Sequence, residues 1–222
     1  MGAVLLVLAV PRTIAAWEAI AAQPALEKID AGKPLSAAEL REAIAGLEHS
    51  VTWVTSDRSL KDLGTLELAL YQALPFTDPG RAAVLASCER HFLEGLAANP
   101  ADGMAWYRLA QVRQLSGGDA RRVVVALMQS ADMAPNYRPV FVGRTLGLLL
   151  YRAVLTPEEF QVAESQIRTF WRGAKPAERK ALYGYVRGDA ASLAMIENAV
   201  REDPDAKAAY EDAKAEGAPP AK

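Results

Sequence analysis

The chain is poor in the residues that most often carry chemistry. It has one cysteine, Cys88, and two histidines, His49 and His91. A single cysteine excludes an intramolecular disulfide framework and any multi-thiolate metal site. Two histidines leave little for metal ligation or acid–base work, so neither a metal nor a cofactor is expected. Charge of one sign is also missing. Lysine and arginine number 25 against 27 acidic residues, a net charge of −2, which lacks the basic excess of a dedicated nucleic-acid binder. Walker, dinucleotide-binding and nucleophile-elbow patterns are absent. No segment alternates apolar and polar residues at strand length. No apolar run reaches the about 20 residues of a clean membrane span.

What is present is apolar bulk. Of 222 residues, 51% are hydrophobic, which excludes general disorder. The length suits one domain with a short appendage, and such a chain buries roughly 70% of its unfolded surface without staples.

Part of that bulk sits at the N-terminus. MGAVLLVLAV precedes Pro11-Arg12, and TIAAWEAIAA follows. Residues 1–25 are read as a hydrophobic N-terminal helix with three readings open. It is a membrane anchor, with Trp17 at the interface; a signal cleaved near Ala19-Ile20-Ala21, although a positive n-region is missing; or a helix tucked into the core.

Beyond residue 25 the punctuation is helical. Ser36 and Glu39 form a capping box opening a helix to about Ser50. Leu60, Leu63, Leu66, Leu70 and Leu74 stripe a second, from about Arg58 to Leu74. Asp78-Pro79 opens a third, Asp102 a fourth to Leu115, and Asp119 a fifth to Pro135. Gly117-Gly118 supplies a left-handed C-cap between the last two. A sixth helix spans about Pro139 to Leu155. A capping box at Thr156–Glu159 opens a seventh, and Pro176 and Asp189 open two shorter ones. The helical domain is placed at 34–202, with 203–222 a polar, disordered tail. Short connections make neighbouring helices antiparallel.

A search at periods near 34 residues finds one repeat. GMAWYRLAQVRQLSGGDARRVVVALMQSADMAP resembles a tetratricopeptide (TPR) repeat: Trp106, Leu109 and Ala110 stand at the first-helix positions. Val123, Leu127, Ser130 and Pro135 stand at those of the second helix, with one residue inserted at Gly117-Gly118. Cys88, Phe92, Gly95 and Pro100 match the end of a preceding repeat, and Leu63-Gly64 and Leu146-Gly147 match flanking first helices. The expected fold is therefore all-α, a TPR-like α-solenoid of antiparallel hairpins with an N-terminal hydrophobic helix. Over about residues 1–185 the chain is also similar to TPR-like accessory proteins of bacterial exopolysaccharide machinery. That resemblance implies a non-catalytic assembly factor at the bacterial inner membrane, with one N-terminal anchor and a periplasmic helical domain. Its partners would be polysaccharide synthesis or export components. NPADGMAWYRLAQ also resembles the TPR portion of cytochrome c maturation proteins, which keeps that assembly role open.

Cys88 and His91 share a helix face, as a thiolate–imidazole pair would. The repeat register instead gives Cys88 a small, buried position, so no catalytic residue is assigned and no enzyme is expected. The candidate binding surface is basic. Between Asp102 and Arg152 stand Arg108, Arg113, Arg121, Arg122, Arg138, Arg144 and Arg152, with only Asp102, Asp119 and Asp132 in opposition. The repeat register places Tyr107, Arg108, Gln111, Arg144, Tyr151 and Arg152 along a groove, where arginine and tyrosine suit an acidic peptide or charged polymer. The competing reading pairs these arginines with carboxylates and helix C-termini. The leading function is a membrane-associated protein–protein interaction scaffold. The alternative is direct binding of polysaccharide or another anionic ligand, with Trp53, Trp106 and Trp171 available to stack on sugars.

Overall fold

The structure is a computed structural model that describes residues 2–217, with side chains from residue 9 onward. Every element among the described residues is helical, as the absence of strand patterning implied. The chain divides into two compact units, residues 1–118 and 119–222. The helical region expected over 34–202 extends across both units. The boundary also falls inside the TPR-like segment, so its two helices belong to different units.

The first unit contains α1 (Gly2–Ile20), α2 (Gln23–Asp30), α3 (Ala37–Trp53), α4 (Asp57–Ala73), α5 (Arg81–Ala98) and α6 (Gly103–Leu115). Ser36 and Glu39 make the expected capping box at the start of α3. Gly117 closes α6 in the left-handed region, at a φ of +65°, where the missing Cβ removes the steric penalty. Asp78 departs from expectation. Its carboxylate accepts from the Gly80 amide at 2.7 Å, so it closes a turn, and α5 begins only at Arg81 with no side-chain cap. The tightest pairing is α4 with α5. A Cβ at Gly64 would lie 2.9 Å from the buried Phe92 ring, and one at Gly95 would lie 3.2 Å from the Asp57 carbonyl. Two glycines thus let the backbones of α4 and α5 approach closely.

The N-terminal reading needs correction. No helix among the described residues is long and apolar enough to cross a membrane, so a single N-terminal anchor is not supported. Residues 2–20 do coil into α1, but Pro11, Arg12 and Glu18 interrupt the apolar run, and α1 packs on α3. Ser50 of α3, 2% exposed, donates its hydroxyl to the Ala15 carbonyl at 2.7 Å. His49 lies 3.3 Å from the Glu18 carboxylate. Val10, Trp17 and Ile20 remain exposed.

The second unit contains α7 (Ala120–Met133), α8 (Phe141–Leu150), α9 (Pro157–Gly173), α10 (Pro176–Val186), α11 (Ala190–Val200) and α12 (Pro204–Gly217). The expected helix over 139–155 is shorter, because 3₁₀ turns at Arg138–Val140 and Arg152–Val154 flank α8. α9 is central, packing against α7, α8, α11 and α12. The polar tail is also corrected, since Pro204–Gly217 is helical. Asp203 accepts from the Ala206 amide at 3.0 Å and caps α12. Ala206, Ala209, Tyr210 and Ala213 form its buried stripe at helical spacing. Alanines carry little hydrophobic signal, which is why the sequence reads as polar there. The part of the expected tail beyond Gly217 lies outside the described residues.

Tyr210 meets Trp171 edge-on at 5.2 Å, and Trp171 meets Phe170 at 5.4 Å. Such pairs contribute about 0.5–1.5 kcal/mol beyond burial. Replacing Tyr210 with alanine is expected to cost about 3–5 kcal/mol. Thermal denaturation would show it, with red-shifted tryptophan emission as Trp171 loses its cover. An unchanged melting temperature would remove α12 from the core.

Glu39 gives a second expectation. Hydrogen bonds from Lys28 and then from the Ser36 backbone hold its pKa at about 2, against an ordinary 4.5. A depressed folded-state pKa stabilises above the unfolded value and is lost as pH falls through the folded one. Acid titration of Glu39→Gln should therefore give a flatter stability curve between pH 4.5 and 2 than the parent.

Candidate functional site

The α4–α5 packing brings Cys88 and His91 inside. Cys88 is fully buried and donates its thiol to the Gly64 carbonyl at 3.1 Å. Burial first, then the Glu67 charge, pushes its pKa strongly up, which disfavours the nucleophilic thiolate. His91 faces away from that role, its Nδ1 lying 2.8 Å from Glu67 Oε2 with both side chains buried. The geometry therefore pairs imidazole with carboxylate and leaves the thiol on a backbone carbonyl. Glu67 was missed in the sequence. Its signal was an acid four residues after Leu63, in the leucine-rich run LGTLELAL.

A second polar junction ties the ends of the same helices. Lys61 bridges Asp57 at 3.0 Å and Asp102 at 2.8 Å, and Asn99 donates to Asp57 at 3.0 Å. Burial works against the Lys61 charge, but Asp102 and Asp57 outweigh it and raise its pKa. This junction fixes the start of α6, where Asp102 accepts from the Ala105 amide.

The six expected groove residues fall in both units. Tyr107, Arg108 and Gln111 lie on α6, all half-buried. Arg108 reaches across to donate to the Thr65 hydroxyl on α4, and Asp30 lies 3.9 Å from it. Arg144, Tyr151 and Arg152 lie on and just after α8 in the second unit. Arg144 is 1% exposed. Its guanidinium donates to the carbonyls of Ser130, Ala134 and Pro135, each at 2.9 Å, and so closes the C-terminus of α7. Arg152 donates to the Leu149 carbonyl at 2.9 Å and to Asp189 at 3.0 Å. Two further arginines of the basic stretch are engaged as well. Arg113 pairs with Glu89 at 3.0 Å, and Arg121 forms a two-pronged pair with Glu159.

Much of the local arginine excess thus answers carboxylates and carbonyls, and the acids concerned, Asp30, Glu89, Glu159 and Asp189, lie outside the basic stretch. The tryptophans are distributed likewise. Trp171 is fully buried, Trp106 donates its indole N–H to the Pro100 carbonyl at 2.8 Å, and Trp53 is exposed.

The chain matches no family model, and no curated protein matches it. What it can bind must therefore be read from its open surfaces. One concave surface lies within the second unit, between α7 and α9. It is a groove of about 370 Å³, with Met128, Ala131, Pro135 and Val162 supplying apolar surface and Asp132, Glu158 and Glu159 supplying carboxylates. The sequence did not reveal it. Glu158 reads as an ordinary first-turn acid, and nothing local brings Met128 next to Val162.

Arg144→Met and Arg152→Met should differ sharply. Removing the first leaves three inward carbonyls without their donor, and unsatisfied buried groups cost about 1–3 kcal/mol each. The second breaks a half-exposed pair worth about 0–1 kcal/mol. Urea denaturation of both variants checks this, and equal midpoints would remove Arg144 from its capping role.

Proposed function

We propose that the chain is a non-catalytic protein–protein interaction scaffold, in which serial helices hold a recognition groove. The observation that carries this reading is the α7–α9 groove itself. Val162 stands 42% exposed and lines this groove together with Met128 and the carboxylates of Asp132 and Glu158. Exposed apolar surface with a polar rim is the usual mark of a docking site, and a methionine lets such a surface adapt to its occupant. The resemblance to accessory proteins of exopolysaccharide machinery supplies the proposed setting, with assembly or export components as partners.

The test is site-specific photo-cross-linking in the native host. A photoreactive residue at Val162 or Gln129 should give a discrete covalent adduct. The same residue at Tyr185, exposed on α10, should not. Absence of adducts at both groove positions would remove the recognition role from this surface.

A further inference from the structure

The charge around the α7–α9 groove narrows the choice of partner, a step that rests on the docking role proposed for this surface. Of its three carboxylates, Glu159 is occupied by Arg121. Asp132 and Glu158 are exposed, and neither has an ion-pair or hydrogen-bond partner among the described residues. No lysine or arginine lines the groove among those residues. The open apolar surface beside these carboxylates comes from Val162, exposed, and Met128, half-buried. The groove's volume, about 370 Å³, lies at the lower end of ligand cavities. That is room for a few side chains rather than a whole extended ligand.

We propose that this groove receives a basic amphipathic helix of a partner protein. An apolar side chain enters between Met128 and Val162, and lysine or arginine one turn away on either side meets Asp132 and Glu158. Helix-in-groove recognition works in this way, through anchors spaced at helical intervals. The apolar contact supplies most of the affinity, while complementary charge sets orientation and excludes acidic competitors. The binding surface first expected of this chain was basic and suited an acidic ligand. The exposed, unpaired charge at this groove has the opposite sign, because Arg108, Arg144 and Arg152 are engaged internally.

The experiment uses the full chain and a fluorescein-labelled amphipathic lysine–leucine helical peptide, followed by anisotropy. A matched glutamate–leucine peptide is the control. Saturable binding of the lysine peptide alone is expected, weakening as salt rises. Asp132→Asn and Glu158→Gln should each lower its affinity by about threefold. Val162→Lys should lower it by roughly tenfold or more. Circular dichroism melts confirm that the variants fold, and should Val162→Lys unfold, the two carboxylate variants still decide. Equal binding of both peptides, no saturable binding, or binding that none of the substitutions alters would each overturn the proposal. A groove cross-link that persists when the lysine peptide fails to bind overturns the basic-helix assignment alone. Loss of the cross-link overturns the docking role itself.

Discussion

An array of short helices must satisfy the carbonyl groups that every helix end leaves open. In this chain arginines from elsewhere in the same unit perform much of that work. Arg81, at the start of α5, donates to the Tyr71 and Leu74 carbonyls at the end of α4. Arg144 of α8 closes α7 through three carbonyls. Arg152 caps α8 at Leu149, and Arg168 of α9 donates to Ala199 near the end of α11. A guanidinium suits the task because its several N–H donors are fixed in one plane and stay charged. It also meets the negative end of the helix dipole. The bonds of Arg81, Arg144 and Arg168 each fix one helix end relative to another helix, so the packing of the apolar stripes depends on them.

That arrangement explains why the proposed binding surface draws on residues other than the arginines. A charged group engaged with an internal partner must lose that partner before it can meet a ligand, at the cost of an unsatisfied buried group. The basic stretch is therefore largely architectural. The buried thiol and the Glu67–His91 pair are enclosed in the same sense, each bonded within the α4–α5 interface. The α7–α9 groove is different: Val162 is open and two of its carboxylates have no partner among the described residues. Its recognition chemistry needs no rearrangement of the fold, which is why it carries the proposed function.

Helix positions were largely legible in the sequence because capping is local. Ser36, Asp102, Asp119, Thr156 and Asp189 each accept a backbone bond from within three residues. The exceptions have local causes of their own. Asp78 turns the chain at Gly80, and α12 hides its buried face behind alanines. The candidate site was much less legible. Arg108, Arg144 and Arg152 looked available because their partners are either distant in sequence, as with Asp30 and Asp189, or backbone carbonyls that no composition count reveals.

The sequence by itself determined an all-helical chain, because caps, prolines and helical spacing act within one turn. It also determined the scarcity of reactive groups, which is a matter of composition. Only the tertiary structure decided that the chain forms two compact units with a boundary inside the TPR-like segment. Tertiary packing also laid α1 on α3 and placed Met128 beside Val162. Those outcomes depend on contacts between residues far apart in sequence, where small differences in packing and charge pairing select one arrangement over another.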